Sequence, residues 1–170
     1  ELNAKYKKRE KAMLEASETT DIMIDNELIS NDELMTHTKI KSHLVGRLIS
    51  LKQGYAKVIL EPTHEMVVDD FGLIHSGFVF GSAEYAAVAC INQENVVIIA
   101  ATSQFFAPAK LGNTIEFEAK GDFQETRKRH VHVVGKINTI KIFEATFQAV
   151  ILDNHIFKTK LDELHNSLDN

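Results

Sequence analysis

The chain has 170 residues, is 44% hydrophobic and carries a formal charge of −5 with a single cysteine. Length and apolar content suit one domain with its own core. The acidic balance gives no general reason to bind nucleic acid or an anionic membrane, and one cysteine excludes an intramolecular disulfide and fits a reducing compartment.

Residues 1–38 differ from the rest. Lys5, Lys7, Lys8, Arg9 and Lys11 form a basic cluster that gives way to an acidic stretch from Glu15 to Glu33. The segment lacks the apolar h-region of a secretory leader, and no apolar run in the chain is long enough to span a bilayer. The expected address is cytoplasmic. "SNDE", Ser30 to Glu33, has capping-box spacing and predicts the start of a short helix. The whole region reads as a helical extension.

From His43 the pattern turns to strands. Two short β-rich runs flank Gln53-Gly54, a hairpin turn, and in the second run Ala56, Val58 and Leu60 share one face. Next comes the single long helix expected of the domain, about Ser76 to Gln93. "NVVIIAATSQFFAPA" reads as a long strand, and its continuous apolarity predicts a central position. "NTIEFEAKG" alternates Ile115, Phe117 and Ala119 against Glu116, Glu118 and Lys120. "RHVHVVGKI" and "TIKIFEATFQAVILD" complete four strands after the helix. The tail, 155–170, is expected to form one more helix. Two strands, a helix and four strands make an α+β domain over 39–154. A single helix that is apolar on most sides is best buried by an antiparallel sheet curling around it.

Glu84 interrupts that apolar helix. At ~100° per residue, Gly77, Gly81, Glu84 and Val88 fall on one face. Each helical glycine costs about 1 kcal/mol relative to alanine, which points to something approaching closely, a second helix or a ligand. At the helix start, Ser76 and Gly77 would offer free N–H groups at the positive end of the dipole. Such a terminus can hold a carbonyl oxygen and stabilise negative charge on it. Ser76 and Glu84 are eight residues apart, ~12 Å along the axis, so both can serve one reacting carbonyl only if they come from different chains. A site built on both requires a dimer; a structural carboxylate paired with a neighbour is the plainer alternative for Glu84.

"GLIHSGFVFGSAE", residues 72–84, resembles the signature of hotdog-fold acyl-CoA thioesterases: G-x-x-H-G-G followed by an acid on the helix. "ATSQFFAPAKLGNTIEFEAKG", residues 101–121, resembles the same superfamily's passage between its third and fourth strands, and within it the nearest resemblance is to flagella-co-expressed bacterial hotdog proteins. The resemblance implies an antiparallel sheet wrapped around a central helix, a homodimer or higher oligomer, and acyl-CoA bound between subunits with no other cofactor. It places Glu84 at the catalytic acid, Ser76 at the N–H that polarises the thioester carbonyl, His75 at the motif histidine that orients loop or substrate, and Asp69 where relatives carry an amide that positions water. Gly72, Gly77 and Gly81 line the approach, and Lys110, Arg127, Lys128 and Arg129 are the cations available for the phosphates of coenzyme A.

Two positions depart from the pattern. Ser76 replaces glycine, although the N–H survives; Asp69 replaces an amide, and a second carboxylate near Glu84 would repel an incoming hydroxide. The departures keep a second function open, an acyl-CoA sensor or virulence-associated regulator that binds without hydrolysis. His130 and His132 share a strand face, but no third ligand has helpful spacing, so no metal is expected. The extension is too short and too acidic for a helix-turn-helix head, so nucleic acid is not an expected partner. Cys90 reads as a buried small hydrophobe.

Overall fold

The computed structural model describes residues 32–122 and 126–158, together with Ala4, Lys5, Lys7, Lys8, Arg9 and Lys11. The alternating runs form strands as their period demands. β1 (Arg47–Lys52) and β2 (Tyr55–Leu60) pair antiparallel, with Lys52 opposite Tyr55 across the two-residue Gln53-Gly54 turn. The central helix, α1, spans Ser76–Ile91 and ends where Asn92 adopts the left-handed conformation. β3 (Val96–Phe105), β4 (Ile115–Gly121), β5 (Lys128–Ile137) and β6 (Ile140–Ile151) follow. All six strands make one antiparallel sheet in the order β1-β2-β4-β5-β6-β3.

The sheet curls around α1, which packs across β2, β4 and β5. Its inner face supplies Ala56, Val58, Leu60, Ile115, Phe117 and Ala119, all fully buried, as their alternation requires. Phe117, Phe143 and Phe147 fill the floor beneath the helix, with Phe80 of α1 5.4 Å from the Phe147 ring centroid. Each buried ring contributes about 1.5–3 kcal/mol. Gly135 makes room for them, since a Cβ there would stand 2.8 Å from the Phe117 ring. Cys90 is buried against β4, and burial pushes its thiol up to about 12, so it stays protonated at neutral pH.

Two expectations need correction. β3 is an edge strand, not a central one: β6 pairs with one side, and Ile99, Ala100, Ala101, Thr102 and Phe105 are exposed. Its unbroken apolarity reflects a surface that the described residues leave largely exposed. The helix expected after Ser30 is not formed over Asp32–Met35. Those residues run along the domain instead, with the Asp32 N–H donating to the Leu51 carbonyl and the Met35 N–H to Asn92 Oδ1. These bonds tie the run to β1 and to the end of α1. Ser30, most of the acidic stretch and the tail from 159 lie outside the described residues; before them the tail makes a 3-10 turn over Ile156–Lys158.

Candidate functional site

An open cleft of about 530 Å³ lies at the start of α1. One wall is the loop that enters the helix, with Val68, Leu73, His75 and Ser76; the other is the end of β3 and the turn after it, Phe105 to Ala109; Val79 forms the base. The backbone stitches the two walls together. The Ile74 N–H donates to the Ala109 carbonyl (3.0 Å), and the Leu111 N–H donates to the Gly72 carbonyl (2.8 Å). Two motifs almost thirty positions apart in sequence are therefore the two sides of one feature.

The entering loop is built by Asp69. Its Oδ1 accepts from the Phe71 N–H at 2.9 Å and the Leu73 N–H at 3.1 Å, a side-chain-held turn completed by Gly72 at φ +80°. The turn leaves Phe71 85% exposed at its tip. Asp69 Oδ1, expected to stand where an amide positions water, is bonded to its own loop.

His75 is the N-cap residue of α1, yet its side chain makes no cap hydrogen bond. Its ring folds over Gly77 instead, where a Cβ would lie 3.2 Å from Nε2, and meets Phe78 edge-on at 6.1 Å. The Ser76 and Gly77 N–H groups thus open the helix with no side-chain acceptor, beside the cleft, at the positive end of the dipole.

Glu84 does not line this cleft. It lies two turns along α1, half-buried, with no hydrogen bond or ion pair among the described residues. Burial raises its carboxyl above the ordinary range. Gly77 is exposed and Gly81 and Glu84, on the same face, are half-buried; a Cβ on Gly81 would meet nothing within 4 Å. Val88, expected on the same stripe, is buried, as is every residue of the helix from Tyr85 to Ile91.

Of the four expected cations, Lys110 stands at the cleft, next to Ala109. Arg127, Lys128 and Arg129 do not. The Ile151 N–H bonds to the Arg127 carbonyl, and Ile151 pairs with Val96 at the beginning of β3. Phe105 of the cleft is nine residues further on, about 30 Å at 3.3 Å per residue. Arg127 is also ion-paired to Asp153 at 2.6 Å. His130 and His132 share an outer hollow with Lys120 and Thr146, His132 bonding to Glu144 at 2.8 Å; among the described residues no three groups are arranged to hold a metal. The apolar lining by Val68, Leu73, Val79 and Phe105 was not anticipated. Its signal was the apolar residues within and beside both motifs, which only the fold shows to be neighbours.

A sigma28-regulated virulence protein from Campylobacter jejuni is 47% identical, over 74% of this chain and 97% of that one, with a TM-score of 0.72. The chain belongs to the hotdog-fold thioesterase-like superfamily. An uncharacterized protein from Pyrococcus horikoshii is 36% identical over 75% of this chain and 98% of that one, TM-score 0.73. Among curated proteins, methylthioribose-1-phosphate isomerase of Aquifex aeolicus is 35% identical over 120 residues, and transcription factor FapR of Thermoanaerobacter is 27% identical over 127 residues. These matches cover 71% and 74% of this chain, but the chain spans only 26% of the isomerase and 64% of FapR. No family model matches. The hotdog fold extends to a Streptococcus mutans protein solved bound to acetyl CoA, at 16% identity over 69% of this chain and 97% of that one, TM-score 0.60. No helix among the described residues is long and apolar enough to cross a membrane.

Proposed function

We propose that two copies of this chain bind an acyl-CoA thioester between them and hydrolyse it. The observation that carries the reading is the open helix start: uncapped Ser76 and Gly77 N–H groups beside an apolar cleft, with the acid of the signature two turns away. The thioester carbonyl would sit on those amides, which stabilise the developing oxyanion. Its hydrocarbon acyl group would lie against Val79, Leu73 and Phe105.

The acid has to come from a second copy. Ser76 and Glu84 are ~12 Å apart along the axis. The partly exposed Gly77–Gly81–Glu84 stripe leaves room for an antiparallel helix, and the apolar β3, which among the described strands pairs only with β6, is a surface on which a second β3 can continue the sheet. Glu84 of the partner subunit would take a proton from water as the water attacks the carbonyl, then return it to the departing thiolate. Burial raises its pKa, which makes it a stronger base than an exposed carboxylate.

A second reading is favoured by two observations. Asp69 Oδ1 is committed to Phe71 and Leu73 rather than to a water, and the chain is similar to the transcription factor FapR. In that reading the same cleft binds acyl-CoA without turnover and serves as a sensor. Thiol release from a panel of acyl-CoA esters separates the two. Hydrolysis that falls at least about 100-fold in Glu84→Gln supports the enzyme. Saturable binding without release supports the sensor, and no binding of any ester rules out both.

A further inference from the structure

One side chain sets the depth of the cleft at the start of α1. Val79 lines the cleft yet is only 4% exposed. Helical side chains lean toward the N-terminus, so Val79 projects beneath the Ser76 amide, three residues or ~4.5 Å back along the axis. Beyond Val79 the same line of the helix continues with Ala83 and Ala87, both small and fully buried. The facing wall closes on aromatic rings. Phe105 meets Phe143 edge-on at 5.0 Å, Phe143 meets Phe117 at 6.2 Å, and a Cβ on Gly135 would stand 3.1 Å from Phe143 Cβ. Packing that close leaves no room, among the described residues, for a carbon chain to pass between the helix and those rings.

Around that base the lining includes Leu73, Ile74, Ala107 and Pro108, an apolar surface that suits hydrocarbon and penalises a charged acyl end. An extended chain advances ~1.2 Å per bond. A chain whose carbonyl rests on the Ser76 and Gly77 amides therefore meets Val79 after about four to six carbons. We propose that Val79 is the specificity-determining residue of the cleft, and that the cleft takes short, uncharged acyl groups and rejects longer ones. The inference rests on the acyl-CoA reading above and adds the class of acyl group and the side chain that selects it.

Calorimetric titration of the full chain with 2-oxoalkyl-CoA ketones tests it, because these carry the carbonyl and the chain of an ester but no thioester bond to cleave. Across the analogues of the acetyl, butyryl, hexanoyl, octanoyl and dodecanoyl esters, affinity should rise about fourfold per methylene up to the butyryl or hexanoyl member and fall beyond it. In Val79→Ala the maximum should move to the octanoyl member or longer, as the cleft opens onto Ala83. In Val79→Leu, which keeps the base filled where the smaller residue would leave a void, the maximum should move to a shorter member. Native affinity that keeps rising to the dodecanoyl analogue overturns the proposal, as does a maximum unmoved in whichever of the two variants folds. If the native chain binds none of the ketones and no acyl-CoA ester, the acyl-CoA reading itself falls and takes this inference with it.

Discussion

Strands β3 and β4 are both rich in apolar residues and have opposite fates. β4 has neighbours on both edges, and its alternation is literal: Ile115, Phe117 and Ala119 are buried, while Glu116, Glu118 and Lys120 face outward, with Glu116 bridged to Lys57 at 2.8 Å. β3 has a neighbour on one edge, yet it runs apolar from Val96 to Ala101 and exposes Ile99 and Phe105 at about two-fifths of their surface. An alternating strand states which face its own chain covers. A continuous run states that more is covered, without stating by which chain.

Three substitutions sharpen that contrast. Phe117→Ala, on β4, should cost the most, about 3–5 kcal/mol of folding stability, measured by urea unfolding. It empties a site enclosed by Phe143 and the helix, and a cost below about 1 kcal/mol would mean that the aromatic floor is not the core. Ile99→Lys, on β3, should change the stability of the folded subunit by no more than about 0.5 kcal/mol but shift sedimentation from dimer to monomer. A native chain that sediments as a monomer at every concentration would remove the two-chain site.

The smallest effect is expected from Glu84→Gln. Burial raises the Glu84 carboxyl in the folded state, so the stability it contributes is full below the unfolded carboxyl's pKa and is lost as pH rises through the higher folded value. The glutamine variant should therefore match the native chain near pH 4 and melt at a slightly higher temperature near pH 8. Equal melting temperatures at both values would show that the partner subunit, or a bound cation, relieves the buried charge. The same variant lowers turnover at least about 100-fold in the hydrolytic reading, so activity and stability should move in opposite directions.

Much of the fold was legible in the sequence. The Gln53-Gly54 turn, the face carrying Ala56, Val58 and Leu60, the helix beginning at Ser76 and the four later strands all follow from local period and turn chemistry. The site was legible in pieces. "GLIHSG" and "FFAPAKLG" were each identifiable, but not that the Ile74 and Leu111 amides join them. Asp69 looked like a reagent because its bonds to Phe71 and Leu73 depend on a loop shape that residue type does not reveal. Arg127 to Arg129 looked like a phosphate site because three adjacent cations attract attention, although pairing with β6 carries them to the opposite end of the sheet.

The sequence by itself determined the elements, the buried face of each and the separation between Ser76 and Glu84, because helical rise and strand alternation are properties of a few consecutive residues. Tertiary structure alone decided which strands stand at the edges of the sheet and which loop stands across the cleft. Those outcomes depend on contacts between residues tens of positions apart, and the chain order of side chains does not encode the distance across a curled sheet.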